Sequence, residues 1–193
     1  MPLIREVIVT TVSRAGAAHI APMGIREEDG DILLQPFRPS TTLENVLATR
    51  CAAVNYTDDV RVFAGCLTGR REWKTVPTGT VPGCRLAVTL AHREIELTRV
   101  EEDDVRPRLW CRSVKFESHA PFPGFNRAQA AVLEAAILVS RLHMLPQEKI
   151  DAELQYLAIG VSKTAGTAEL EAWSWLMERI ETHRAASAAG AGE

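Results

Sequence analysis

Nothing in this 193-residue chain spells out a nucleophile elbow or a nucleotide loop. There is no Gly-x-Ser-x-Gly, no Gly-x-x-x-x-Gly-Lys-Ser/Thr and no Gly-x-Gly-x-x-Gly after a strand, which excludes three recognisable devices for acyl transfer, phosphoryl transfer and dinucleotide binding. Cys51, Cys66, Cys84 and Cys111 form no Cys-x-x-Cys pair and have no histidine at zinc-finger distance, so they read as reduced, small apolar residues. His19, His92, His119, His143 and His183 make no His-x-x-x-His or His-Glu-x-x-His pattern, and no metal site is expected. No apolar run approaches the roughly 20 residues of a membrane span, and Met1 to Glu6 lacks the basic start and apolar stretch of a signal peptide. A net charge of -3 and a pI near 6.0 supply no basic field for nucleic acid or an anionic membrane. These absences leave an expected cytoplasmic, soluble protein.

What is present is enough apolar material for one sizeable core with an added subdomain: 46% of the residues are hydrophobic and 24% charged. The first two thirds carry strand patterns. Glu6 to Thr11 is a β-branched run. A Gly16 turn leads to Ala18 to Ile25, and Glu28-Asp29-Gly30-Asp31 is a second turn before Ile32 to Phe37. Cys51 to Tyr56 is short and apolar, as a buried strand should be. Asp58 to Leu67 fits both periods, and a short helix is favoured. Thr68 to Gly83 is punctuated by Gly69, Pro77, Gly79, Pro82 and Gly83, so a long connection is expected there, with Trp73 and Lys74 placed to overhang a ligand or simply to cross between strands. Arg85 to Ala91, Arg93 to Val100 and Leu109 to Glu117 alternate, giving about seven strands and hence a barrel or sandwich.

After Phe125 the period changes to about 3.6. Asn126 is placed to cap a helix from Arg127 to Met144 that is apolar around most of its circumference and stopped by Pro146. Two further helices are expected, from Pro146 to about Ala158 and from Thr167 to about His183. Glu134 and Arg141, two turns apart on the first helix, need matching or water if that helix is buried. The expected domains are 1–120, a barrel, 121–184, a helical subdomain, and 185–193, a disordered Ala/Ser/Gly tail.

The residues richest in chemistry are Arg38-Pro39-Ser40-Thr41-Thr42-Leu43-Glu44-Asn45. They place a cation, three hydroxyls and an amide where a strand gives way to a helix start, whose unpaired N–H groups attract anions. Two readings stand: a phosphate monoester site, or Thr41 or Thr42 acting as an ordinary cap. Arg127 in the first turn of its helix opposes the macrodipole and implies an anionic partner, or is a plain surface arginine.

The order of a strand, a strand carrying Ala21-Pro22-Met23-Gly24, a further strand, the Ser-x-Thr-x-x-Asn turn and Ala53-Val54-Asn55 is similar to the flavin reductase and pyridoxamine oxidase group of FMN-binding split barrels. Glu6 to Thr11, Ala21 to Gly24, Asn45, Phe125-Asn126-Arg127, Glu134-Ala135 and Ser140-Arg141-Leu142 narrow the resemblance to the branch known as domain of unknown function 447, over roughly residues 4 to 182. The resemblance implies a mainly β, α+β fold: a Greek-key-like FMN-binding split β-barrel with a C-terminal three-helix appendage. It implies FMN as cofactor, with Arg38, Ser40, Thr41, Thr42 and Asn45 at the phosphate and ribityl end. Pro22, Met23 and Gly24 would lie at the ring, with Asn55, Asn126 and Arg127 as further contacts. It also implies a homodimer with FMN near the interface and NADH or NADPH as a possible reductant. No catalytic residue is singled out. An oxidoreductase is the expected function, with a non-catalytic flavin carrier, sensor or assembly protein as the alternative.

Overall fold

The computed structural model describes residues 3–190. The chain forms β1 (Ile4–Val12), β2 (Ala18–Glu28), β3 (Asp31–Leu34), α1 (Thr41–Thr49), β4 (Cys51–Tyr56), α2 (Val60–Leu67), β5 (Thr75–Pro77), β6 (Cys84–Leu86), β7 (Ala91–Glu101), β8 (Arg108–Ser118), α3 (Arg127–Ser140), α4 (Gln147–Thr164) and α5 (Thr167–Gly190). It divides into two compact units, Met1–Asp58 with Glu72–Phe122, and Asp59–Arg71 with Pro123–Glu193.

In the first unit six antiparallel strands close into a barrel in the order β1-β2-β3-β8-β7-β4. The β2–β3 hairpin turns on Asp29-Gly30, both with positive φ, 52° and 88°. That is the backbone a two-residue hairpin loop demands, and Gly30 supplies it without steric cost. Alternation sends Val7, Val9, Ile25, Ile32, Leu34, Val54, Ile95, Leu97 and Leu109 into one buried cluster, to which α1 adds Leu43 and Val46 as a plug. Each such side chain contributes about 1.5–3 kcal/mol by leaving water. The opposite face of β1, β4 and β7 is covered by the short β5–β6 hairpin, which contacts β1 and β4.

Three details differ from the expectation. β3 ends at Leu34 rather than running to Phe37, because Pro36 has no N–H for a ladder and is buried instead. The long connection holds β5 and leads into β6. The strand expected from Arg85 to Ala91 stops at Leu86, beyond which the Thr89 hydroxyl donates to the Tyr56 carbonyl and takes over from ladder pairing.

The second unit is helical. Its core joins Val132, Ala135, Ala136 and Val139 of α3 to Ile150 and Leu154 of α4 and Ala172, Leu176 and Ile180 of α5. Val60 and Ala64 of α2 complete it, so a helix from the middle of the sequence joins the three expected at the end. Gly160 lets α4 approach α3 closely: a Cβ there would stand 3.3 Å from the Arg127 carbonyl oxygen. α3 stops at Ser140, short of Met144, and α4 runs on to Thr164. α5 continues to Gly190 where a disordered tail was expected from Ala185, since an Ala-rich run carries almost no side-chain entropy cost in a helix. The last tail residues, 191–193, lie outside the described residues.

Asn126 caps α3: its side-chain oxygen accepts from the N–H groups of Ala128 and Gln129 at 2.7 and 3.2 Å, and its amide donates to the Thr164 carbonyl. Asn126→Ala is expected to cost about 1–2 kcal/mol, the usual worth of such a cap, measured as a lower urea midpoint. An unchanged midpoint refutes the capping role.

Candidate functional site

β2 is the barrel strand that is paired over most of its length on one side alone. It pairs with β1 from Ala18 to Arg26 but with β3 only from Arg26 to Glu28, so among the described residues the second backbone edge of Ala21 to Ile25 pairs with no strand. Pro22 is tolerated on such an edge because proline cannot donate to a ladder. Met23 turns inward against the barrel core, which leaves Pro22 and Gly24 on the outer face. Gly24 is needed there by close approach: a Cβ would stand 2.9 Å from the Ile4 Cγ2.

α1 packs against β1 and β2 beside this edge. Its cap is Ser40, whose hydroxyl accepts from the Leu43 N–H at 3.3 Å, so neither threonine caps. Among the described residues the N–H groups of Thr41 and Thr42 have no acceptor, as expected of a first turn. The Thr41 side chain is exposed, whereas Thr42 is buried. Arg38 is bonded to Glu102 at 2.7 Å beside Asp103 and Asp104. A guanidinium carries five N–H donors, so Glu102 occupies only part of it.

The remaining residues expected at a ligand have other engagements. Asn45 is buried and donates to the Thr11 hydroxyl at 3.0 Å, tying α1 to β1. Asn55 is 0% exposed: its amide donates to the Ile8 carbonyl at 3.0 Å and the Thr10 hydroxyl at 3.1 Å, and its oxygen accepts from the Leu86 N–H at 2.7 Å. Asn126 and Arg127 stand at the start of α3 in the helical unit, where Arg127 is exposed and has no ion partner among the described residues. Glu134 and Arg141 are exposed as well, so neither needs matching.

One network was not anticipated. Glu94, 0% exposed, accepts from the backbone N–H groups of Gly79 (2.8 Å), Thr80 (2.6 Å) and Val81 (2.8 Å), and contacts the His92 Nε2 at 3.3 Å. Burial pushes its pKa up, yet the hydrogen bonds from Gly79, Val81, Thr80 and His92 together hold the carboxyl below its ordinary 4.5. The His92 Nδ1 lies 2.9 Å from the His119 Nε2, and Glu117 and Lys115 stand beside that pair. Along β7, His92, Glu94 and Glu96 alternate with Arg93, Ile95 and Leu97 and point away from the barrel interior, where the β5–β6 loop folds over Glu94. The Gly79-Thr80 step was the available signal, since consecutive N–H groups in a turn make an anion cradle.

The cysteines offer no nucleophile. Burial raises the Cys66 thiol to about 11 and the Cys111 thiol to about 12, away from the thiolate form that reacts. None of the helices among the described residues is long and apolar enough to cross a membrane.

A family model described as protein of unknown function (DUF447) N-terminal domain matches residues 5–120, and one described as protein of unknown function (DUF447) matches residues 126–178. Among solved structures, an FMN-bound protein from Methanosarcina mazei, of the same family model, superposes with a TM-score of 0.78 at 24% identity over 93% of this chain and 96% of that one. Nitrilotriacetate monooxygenase component B from Mycobacterium thermoresistibile gives 0.53 at 16% identity, covering 61% of this chain and 71% of that one. A flavoredoxin from Methanosarcina acetivorans gives 0.53 at 12% identity, covering 62% and 69%. No protein of curated function matches the chain. The fold is that of the flavin reductase split barrels, with helices added after the barrel.

Proposed function

We propose that this chain, which belongs to the DUF447 family, is an FMN-binding protein of the split-barrel class and uses the flavin as a small-molecule oxidoreductase. The observation that carries the reading is the pairing of a strand edge that no other described strand covers, Ala21 to Ile25, with an adjacent helix start whose first amides have no acceptor among the described residues. An open edge offers backbone donors and acceptors to the polar rim of a flat heterocycle. A helix start offers N–H groups and positive potential to a phosphate monoester. FMN carries both features at opposite ends. The FMN-bound relative from Methanosarcina mazei supports flavin over other phosphorylated heterocycles.

The residues present fit this group. Thr41, through its hydroxyl and N–H, the Thr42 N–H and the Arg38 guanidinium would hold the phosphate, with Ser40 fixing the turn. Pro22 and Gly24 would face the ring, and Met23 would contribute its backbone. Bound FMN would supply one- or two-electron transfer, and the chain would supply position and exclusion of water. That division of labour suits a protein with raised thiol pKa values and no hydrolytic motif. A reduced nicotinamide is the proposed electron donor, and a homodimer the proposed assembly.

Purified protein is expected to show flavin absorption and to release FMN, identified by mass, on denaturation. The double variant Arg38→Ala/Thr41→Ala removes two exposed side chains without touching the core, and its FMN affinity should fall at least tenfold with the melting temperature of the apoprotein unchanged. Saturable oxidation of NADH or NADPH with an added acceptor supports the oxidoreductase. A colourless protein that gains no thermal stability from FMN refutes the flavin reading, because a ligand bound only by the native state must raise stability.

A further inference from the structure

We propose that His92, His119 and Glu117 form a binding site for one divalent transition cation of the zinc class on the outer face of β7 and β8. The candidate ligand atoms of all three side chains lie within 4.8 Å of one another. The His92 Nδ1 and His119 Nε2 are 2.9 Å apart. Two nitrogens each about 2.1 Å from one tetrahedral ion lie about 3.4 Å apart, so the rings need part by only about half an ångström from their hydrogen-bonded contact to share a cation.

Glu94 sets the orientation. Its carboxylate is fixed by the three backbone N–H groups of residues 79 to 81 and meets the His92 Nε2 at 3.3 Å, which places the imidazole proton on that nitrogen and leaves the Nδ1 lone pair facing His119. A carboxylate behind a histidine ligand is the arrangement that fixes the tautomer and raises the basicity of metal-binding imidazoles. His92 is 1% exposed and rigidly held, while His119 and Glu117 are exposed, so the site is closed behind and open in front. In the contact as it stands, the His119 Nε2–H donates a hydrogen bond to the His92 Nδ1. Binding moves the His119 ring proton from Nε2 to Nδ1 through solvent, with no redox change.

Two imidazoles and a carboxylate, with no thiolate among them, suit zinc, iron(II), cobalt or nickel better than magnesium or calcium. The competing group is Lys115, whose Nζ lies 2.8 Å from Glu117 and 3.8 Å from Glu94. It is paired with Glu117 and must yield that carboxylate for a divalent ion to draw it.

The test is isothermal titration of the full chain with zinc chloride at neutral pH. One saturable equivalent per chain is expected, weakened at least tenfold by His119→Ala and again by Glu117→Gln. Both residues are exposed, and the His119 backbone N–H keeps its bond to the Leu90 carbonyl in either variant. Lys115→Met should bind severalfold more tightly. Absence of saturable binding, or binding equal in wild type and both ligand variants, as a cysteine site elsewhere would give, overturns the proposal.

Discussion

Replacing Glu94 by glutamine is expected to lower the stability of the protein by about 3–5 kcal/mol, the range for breaking a buried charged interaction by changing one partner. The carboxylate is fully buried and is the acceptor for three consecutive N–H groups of the β5–β6 loop. Glutamine keeps one oxygen but turns an NH2 group toward donors, so at least one N–H loses its acceptor and another faces a donor. Hydrogen bonds to a charged group contribute about 1.5–3 kcal/mol each, and a buried donor left unpaired costs its full desolvation. For a chain of this size the midpoint of thermal unfolding should fall by about 10 °C.

The same group gives a pH signature with a definite sign. The folded pKa is depressed below 4.5, so the carboxylate binds protons more weakly in the folded state than in the unfolded one. Its stabilisation is fully present above the unfolded pKa and is lost as pH falls through the folded value. The gap in unfolding free energy between wild type and Glu94→Gln should therefore be constant at neutral pH and close on acidification below about 4.5. Equilibrium denaturation at a series of pH values measures it. A gap that does not change with pH would show that Glu94 is not ionised in its cradle.

Asn55→Ala carries the second large effect, about 3 kcal/mol. One amide ties three segments: its NH2 donates to β1 at the Ile8 carbonyl and the Thr10 hydroxyl, and its oxygen accepts from the Leu86 N–H of β6. Truncation leaves the Leu86 N–H buried without a partner, at about 1–3 kcal/mol, and opens a small void besides. The loss should appear as a lower denaturant midpoint and as faster amide exchange across residues 84–86, the segment that Asn55 holds down. This variant also separates two readings of the residue. If stability is kept and only FMN retention is lost, Asn55 is a ligand contact rather than a clamp.

That ambiguity marks how far the sequence could be read. The Asp29-Gly30 hairpin, the alternating strands and the change to helical period after Phe125 were legible because each rests on local chemistry: a positive-φ turn, a period of two, a period of 3.6. Asn126 was legible as a cap for the same reason. Asn55 sits in an apolar strand, and nothing nearby says whether its amide meets a ligand or the Leu86 N–H, which is 31 residues away. Glu94 was illegible for a related reason: strand alternation cannot say that a loop from a short hairpin lies over one face of the strand. The helix start was legible as a place, though not in detail. Ser40 rather than a threonine proved to be the cap, and the Arg38 contact with Glu102 spans 64 positions.

The excursion of the chain through α2 has a consequence for dissecting the protein. Residues 59–71 leave the barrel sequence, contribute Val60 and Ala64 to the helical core, and return at Glu72 for the rest of the strands. The two compact units are thus interleaved in the covalent chain, although each has its own interior. A fragment ending near residue 120 carries an orphaned amphipathic turn with its oily side uncovered, and the complementary fragment lacks one wall of its bundle. Cleaner halves would come from grafting a short polar bridge between Asp58 and Glu72 than from scissors applied at any single peptide bond.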